Sequence, residues 1–134
     1  MPSWTSEFQH AGISVGDLDR AVAWYTGLFG FVEVKRFRKE ELQVAGAVLQ
    51  LGALSLEVLA PFAPVNPSPF PSSLVNHLRA LGANHLAFGI SDLAPCRERL
   101  EASGATMLSP VIDGRFFFCA DPDGTVLEIR KIGG

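Results

Sequence analysis

The fold is decided by the stretch His10–Leu18, which reads HAGISVGDL, because a similar stretch, His85–Leu93, reads HLAFGISDL later in the chain. In both stretches a histidine stands at the same distance before Asp-Leu, and a helical pattern that ends at glycine follows. Each half then closes on a strand that contains Leu-Glu, at Glu57 and at Glu128. The chain is therefore predicted to contain two copies of one supersecondary unit.

The coarse secondary structure is the same in both halves. Alternating apolar residues predict strands, and an apolar residue every three or four positions predicts a helix between an Asp cap and a glycine. The first half is predicted as strand 8–15, a helix from Asp17 to Gly30, and strands 31–38, 44–51 and 54–60. The second half is predicted as strand 85–90, a helix from Asp92 to Gly104, a strand within Thr106–Ile112, and strands 115–120 and 125–131. The fold class is α+β, with two tandem βαβββ modules.

The two modules are predicted to form one domain that spans residues 1–134. Module 1 covers about residues 7–60 and module 2 about residues 83–132. Between them, five of the nine prolines fall within Pro61–Pro71, which indicates a linker, and Ser72–Leu81 is predicted as a short helix. Residues 61–82 therefore connect the modules.

Composition excludes several classes of partner. The 134 residues suit one compact domain, and 48% hydrophobic with 19% charged residues are typical of a folded chain. The net charge is −3 and no block of Lys or Arg stands out, so nucleic acid is not expected as a partner. Apolar runs are far shorter than the roughly 20 residues that span a bilayer, and the start has no apolar signal core. A cytoplasmic homodimer is expected, with Cys96 and Cys119 as buried thiols.

Strand alternation places four polar side chains on one kind of surface. His10 and His85 point away from the helix-packed face of their strands, and so do Glu57 and Glu128. Burying two carboxylates without positive charge costs several kcal/mol each, whereas a divalent cation neutralises both and accepts imidazole ligands. The pattern therefore predicts one divalent metal ion, and two nitrogen and two carboxylate ligands suit Mn, Fe, Co, Ni or Zn.

These residues resemble the vicinal oxygen chelate superfamily, which includes glyoxalase I, extradiol dioxygenases and bleomycin resistance proteins. The opening, with His10, the sequence GDLDRA over residues 16–21 and LFGF over residues 28–31, is similar to the start of that family. The ending, DPDG at residues 121–124 followed by Glu128, is similar to its close. The resemblance implies a half-barrel around one metal site. It also implies four metal ligands: His10, Glu57, His85 and Glu128.

Glu57 points to one branch of the superfamily. Extradiol dioxygenases use two histidines and one glutamate, so a fourth ligand resembles the isomerase branch of glyoxalase I and the epimerases. Glu40 with Glu41, and the linker after Glu57, look like the matching parts of methylmalonyl-CoA epimerase. Asn84 departs from that pattern, because the epimerase has a second histidine before its ligand.

The resemblance implies a metal-dependent isomerase or lyase that abstracts a proton next to a carbonyl through an enediolate-like intermediate. Glu128 is the predicted base, and Glu40 matches the non-ligand acid/base of the epimerase. The expected substrate is a small molecule with vicinal oxygens or a thioester carbonyl. One alternative is a non-haem Fe(II) dioxygenase that uses His10, His85 and Glu128. The other is a drug-binding resistance protein without catalysis.

Three other features carry structural predictions. His77 lies on the linker helix without a partner in the repeat, so a solvent-exposed ring is expected. Phe116, Phe117 and Phe118 are consecutive in a strand and cannot share one face, so they are predicted to divide between the core and the opposite surface. Arg115 is expected to be an exposed hairpin residue, with binding of a substrate carboxylate or phosphate as the alternative.

Overall fold

The structure is a computed structural model that describes residues 2–65 and 73–133. The centre of the predicted linker, residues 66–72, lies outside the described residues, and with it Ser72 at the predicted start of the short helix. The chain divides into two compact units, Met1–Pro64 and Val65–Gly134. Within the described ranges, no helix is both long and apolar enough to cross a bilayer.

The first unit is one sheet with one helix. Its elements are β1 (His10–Ser14), α1 (Leu18–Phe29), β2 (Val32–Lys39), a 3₁₀ turn (Glu40–Leu42), β3 (Val44–Leu51) and β4 (Leu54–Pro61). The strand order is β1-β4-β3-β2, with β1 parallel to β4 and the other pairs antiparallel. The sequence predicted all four strands of this unit.

The second unit repeats this arrangement. Its elements are α2 (Leu74–Arg79), β5 (Leu86–Ile90), α3 (Leu93–Ala102), β6 (Thr106–Met107), β7 (Phe116–Ala120) and β8 (Val126–Lys131). The strand order is β5-β8-β7-β6, and β5 is again the parallel edge strand beside the last strand. The α+β fold of two βαβββ modules is therefore confirmed.

The core of each unit lies between its helix and one face of its sheet. In the first unit Tyr25 of α1 and Val58 of β4 are buried, and in the second Phe117 and Leu127 have no exposed surface. Along each strand every second side chain points to the opposite face of the sheet, and that face carries the polar side chains predicted for the site. Helix packing therefore occupies one face, and the opposite face, called the open face because no helix of the same unit covers it, carries the polar residues.

Capping differs between the two main helices. Asp17 caps α1, since its Oδ1 accepts a hydrogen bond from the Arg20 amide at 3.0 Å, and Gly30 ends that helix with a φ of 81°. Asp92 is the N-cap residue of α3, as predicted, but its side chain makes no cap hydrogen bond to the helix. The short helix α2 is capped by Ser73 and is shorter than predicted at both ends.

The strand expected within Thr106–Ile112 is mostly absent, because β6 has only two residues. Beyond it, single backbone hydrogen bonds from Leu108 to Phe118 and from Ile112 to Phe116 remain, and side-chain contacts lie between them. The Ser109 hydroxyl accepts from the Phe118 amide at 2.9 Å, and the Ser109 carbonyl accepts from Arg97 Nη1 at 2.9 Å. Pro110 follows and has no N–H to donate, so regular pairing stops there.

Candidate functional site

The open face of the first sheet carries His10. On β1, His10, Gly12 and Ser14 are exposed, whereas Ile13 between them is buried. Glycine at position 12 leaves space beside the imidazole, because an added Cβ there would meet no heavy atom closer than 3.9 Å. His10 therefore lies over an open surface next to β4.

Glu57 lies beside His10 on this face. In the parallel register of β1 and β4, Glu57 is opposite Gly12, two residues beyond the histidine. Glu57 Oε2 is 3.5 Å from His10 Nε2, and the two side chains are 40% exposed for His10 and 28% for Glu57. The structure thus brings together two of the residues that the sequence predicts as metal ligands.

The second unit holds a matching pair in the same register. Glu128 of β8 is opposite Ala87 of β5, again two residues beyond a histidine, His85. Glu128 Oε1 is 3.0 Å from His85 Nε2. These side chains are more enclosed, with 25% of His85 and 12% of Glu128 exposed. The repeat seen in the sequence therefore extends to the geometry of the two pairs.

The chemistry of each pair suits a cation. A carboxylate oxygen only accepts hydrogen bonds, so the imidazole nitrogen that faces it either donates its proton to the carboxylate or shares a cation with it. Both groups are also ordinary ligands of the divalent transition metals. Across residues 2–65 and 73–133, no three His, Cys, Asp or Glu side chains are grouped to hold a metal, so each unit presents a two-ligand pair.

Arg130 was not predicted as a site residue, yet it contacts Glu128. Arg130 Nη1 donates to Glu128 Oε2 at 2.5 Å, and its guanidinium stacks 4.6 Å from the centre of the Phe116 ring. The two oxygens of Glu128 are thus divided between Arg130 and His85. Strand alternation was the available signal, because Arg130 follows Glu128 by two residues on the same strand.

The phenylalanines of β7 divide between the two faces, as predicted. Phe117 is fully buried in the core, whereas Phe118 makes an edge contact with the His85 ring at a centroid distance of 5.2 Å. Phe116 packs in turn on Phe118. Aromatic rings therefore border the His85–Glu128 pair on the side of β7. Arg115, just before this strand, is exposed.

Glu40 lies in the 3₁₀ turn after β2, where its carboxylate accepts from Arg38 Nε at 2.6 Å. Its side chain is 69% exposed. Arg38 also stacks over Phe62, with 4.1 Å between the guanidinium carbon and the ring centre. The described contacts of Glu40 thus lie with Arg38, whereas His10 contacts Glu57.

The predicted exposure of His77 is wrong. The ring is half-buried, and its Nε2 donates to the backbone oxygen of Asn84 at 2.8 Å. The partner is a backbone carbonyl, which carries no residue-type signal, so the sequence pattern did not reveal the contact. His77 therefore connects α2 to the residue just before His85.

Two βαβββ modules with a His–Glu pair on the open face of each define the class of protein. The family model described as "Glyoxalase/Bleomycin resistance protein/Dioxygenase superfamily" matches residues 7–129. The chain belongs to this superfamily.

Two curated relatives match nearly the whole chain. An uncharacterised protein of Escherichia coli strain K12, YaeR, is 27% identical over 130 residues, which are 93% of this chain and 95% of the relative. A probable lactoylglutathione lyase of Vibrio cholerae is 23% identical over 125 residues, covering 90% of this chain and 86% of the relative.

Solved structures share the fold. A trypanothione-dependent glyoxalase I of Leishmania major matches with a TM-score of 0.74 and 22% identity, covering 95% of this chain and 87% of that one. A mutant of the fosfomycin resistance protein FosX of Listeria monocytogenes, complexed with Mn(II), matches with a TM-score of 0.67 and 20% identity, covering 96% and 93%. The likeness of the Glu40 region to methylmalonyl-CoA epimerase remains a prediction from the sequence.

Proposed function

We propose that this protein is a divalent-metal-dependent isomerase or lyase of the glyoxalase type, which moves a proton between neighbouring carbons of a small carbonyl substrate. The observation that carries the proposal is the His–Glu pair repeated in the same strand register in both units. A solvated histidine or glutamate arises by chance at one strand position, but the same pair at matching positions of both repeats indicates selection for a shared task.

The proposed ligands are His10 and Glu57 from one unit and His85 and Glu128 from the other. Two imidazoles and two carboxylates fit Mn, Fe, Co, Ni or Zn. A divalent ion bound there supplies a Lewis acid that polarises a substrate carbonyl and so acidifies the adjacent C–H. The Mn(II) complex of FosX, a protein with the same fold, supports this class of ion.

Glu128 is the proposed base. A base must lie within reach of the carbon-bound proton and then return it, and the Glu128 carboxylate lies beside the proposed ligand His85 with 12% of its side chain exposed. Arg130 holds Oε2 of Glu128, so the other oxygen is oriented on the His85 side. The buried Phe118 ring packs edge-on against His85 and gives this region an apolar border.

The proposed substrate is an adduct of a 2-oxoaldehyde with a thiol, and this choice rests on the lactoylglutathione lyase and glyoxalase relatives. In that reaction the proton leaves the carbon bearing sulfur and returns to the neighbouring former carbonyl carbon. The atoms balance without an oxidant, a reductant or a second substrate. Acyl-CoA epimers are the second substrate class to assay, because of the epimerase-like Glu40 region.

Glu40 is the second candidate base. Its exposed carboxylate is paired with Arg38, and a role in catalysis requires that pair to open when substrate binds. Glu40→Gln tests this role. Loss of turnover with unchanged metal content would assign Glu40 to the reaction, and unchanged turnover would remove it.

The experiment combines metal analysis with assays under nitrogen. Purified protein is loaded with Ni, Co, Mn, Zn or Fe in turn and assayed with methylglyoxal–thiol adducts and acyl-CoA epimers. Glu128→Gln should lower turnover by at least 100-fold, and the exposed Glu98→Gln on α3 serves as the matched control. Oxygen uptake by Fe(II)-loaded protein with catechols would instead support the dioxygenase, and equal turnover in Glu128→Gln would contradict the proposal.

A homodimer is part of the proposal. The outer edge strand β2 exposes Val32 by 65% and Val34 by 55%, and an unpaired apolar edge favours association. Light scattering after size exclusion measures the mass directly. A monomeric mass at micromolar concentration would contradict this part of the proposal.

A further inference from the structure

Arg130 stands out on the open face of the second sheet. In β5, β7 and β8, all within the described residues, it is the one Lys or Arg side chain on that face, where it follows Glu128 by two residues. Across the sheet it lies between Phe116 of β7 and Gly89 of β5. Ile132 covers Gly89, because a Cβ added there would lie 2.4 Å from Ile132 Cγ2. The neighbours of Arg130 across the sheet are therefore apolar.

Two contacts orient the Arg130 guanidinium. Nη1 donates to Glu128 Oε2 at 2.5 Å, and the guanidinium carbon lies over the Phe116 ring, 4.6 Å from its centre. A planar group held along one edge and on one face has little rotamer freedom left to lose when a ligand binds. The side chain is therefore oriented in advance on the open face.

These contacts leave one edge of the guanidinium without an acceptor. A guanidinium donates from Nε and Nη2 as well as from Nη1. Within residues 2–65 and 73–133, Glu128 and Phe116 are the partners of Arg130, and neither accepts from Nε or Nη2. The Arg130 side chain is 50% exposed, so a ligand reaches this edge from the open face.

The edge formed by Nε and Nη2 matches a carboxylate. Its N–H groups point the same way and fit the two oxygens of a carboxylate in a bidentate pair. A carboxylate bound there would lie within roughly 8 Å of Glu128 Oε2, because one guanidinium and one hydrogen bond of ordinary length separate the two. Glu128 is the proposed base, so the anionic group of such a ligand lies only a few bonds from the carbon that loses its proton.

We propose that Arg130 is a specificity-determining residue that binds a carboxylate of the substrate, a few bonds from the reacting carbon. Among the thiol adducts of the proposed function, this class is the adduct of a short thiol acid such as N-acetylcysteine. The inference rests on the proposed function for the reaction, but not for the binding of the carboxylate. An arginine that only pairs with Glu128 is the alternative, and it gives no preference for a carboxylate.

The first test is binding without turnover. The probes are S-methyl-N-acetylcysteine and its primary amide, which differ only in the carboxylate, and ¹H–¹⁵N spectra of the intact chain follow the Arg130 Nε–H with and without Zn²⁺. Wild type should bind the acid about 10- to 100-fold more tightly than the amide, the range expected for hydrogen bonds to a charged group.

The variants separate Arg130 from other sources of the preference. Arg130→Gln should bind acid and amide alike, and Arg130→Lys should keep part of the preference because it keeps the charge and loses the planar fork. Lys131→Gln removes a positive charge from the opposite face of the same strand and should keep the full preference. Equal affinity of wild type for the two probes, binding of neither, or a preference that survives in Arg130→Gln would overturn the proposal.

The second test is the ratio of kcat/KM for the methylglyoxal adducts of N-acetylcysteine and of its amide. Wild type should prefer the acid by about 10-fold or more, mainly through KM, and Arg130→Gln should remove the preference. Slower turnover of both adducts at an unchanged ratio would assign Arg130 to the contact with Glu128 alone and would overturn the carboxylate site. Turnover of neither adduct would contradict the proposed function, and the binding experiment then decides the inference separately.

Discussion

Asp121 stabilises the turn between β7 and β8, the strand that carries Glu128, and its replacement tests how much that turn contributes to stability. Its carboxylate is buried, with 1% of the residue exposed, between the end of β7 and the start of β8. Oδ1 accepts hydrogen bonds from the amides of Asp123 and Thr125, both at 2.9 Å. One side-chain oxygen thus closes the turn that leads into the strand of Glu128.

Asp121→Ala removes both hydrogen bonds and leaves two amides without this acceptor. A hydrogen bond to a charged group contributes about 1.5–3 kcal/mol, so the free energy of unfolding should fall by roughly 3–5 kcal/mol. For a domain of this length that loss corresponds to a decrease in Tm of roughly 10–20 °C. Asp121→Asn keeps the accepting oxygen and loses only the charge, so it should cost about 1–2 kcal/mol.

Equilibrium unfolding in urea, followed by far-ultraviolet circular dichroism, measures the free energy of unfolding of wild type and of both Asp121 variants. We expect the free energy of unfolding to decrease in the order wild type, Asp121→Asn, Asp121→Ala. If Asp121→Ala unfolds within about 1 kcal/mol of wild type, the turn does not depend on the carboxylate. Equal losses in the two variants would show that the charge, rather than the accepting oxygen, stabilises the turn.

Four further predictions concern the core, the first helix and the Cys119 thiol. Phe117→Ala should destabilise by about 3–5 kcal/mol because the ring is fully buried, and the half-buried Phe116→Ala should cost much less in the same urea titration. Gly30→Ala should cost about 1 kcal/mol because φ is 81°, whereas Gly27→Ala inside the same helix has open space and should stabilise; equal signs would contradict this. Burial raises the pKa of Cys119 from 9.0 to about 12, so the folded thiol should resist a disulfide reagent at about pH 8 until urea is added. Because that pKa is raised on folding, the free energy of unfolding should also fall as the pH rises from 9.0 towards about 12. In Cys119→Ala the free energy of unfolding should fall less steeply over the same pH range.

Local patterns predicted the elements whose residues carry their own signals. Strand β3 occupies the predicted residues 44–51, because its apolar residues alternate along the sequence. Helix α1 lies between Asp17 and Gly30, because an N-cap residue and a left-handed glycine mark its two ends. The faces of β1 and β5 followed from the same alternation, which is why both histidines could be placed on the open surface. Alternation alone did not predict that each histidine lies beside a glutamate. That prediction also needed the repeat, which indicated which strands are neighbours.

Other features depend on contacts between residues that are distant in sequence. The strand after α3 shortened because Ser109 and Arg97 satisfied backbone groups that a ladder would otherwise use. The contact of His77 with Asn84 depends on where a backbone oxygen lies after folding. Strand alternation places Arg130 and Glu128 on the same face of β8. A charged residue near a strand end is usually solvated, however, so the pattern alone did not predict their contact.

Metal content per chain tests most directly our proposal that the two repeated His–Glu pairs bind one metal ion. Wild type, Glu57→Gln and Glu128→Gln are purified without chelator, loaded with Mn²⁺ or Ni²⁺, desalted and analysed by inductively coupled plasma mass spectrometry. We expect one metal per chain in wild type and a large loss in either variant, since each variant removes a ligand of the same ion. Absence of tightly held metal in wild type would contradict the claim, and so would two metals per chain of which each variant loses only one.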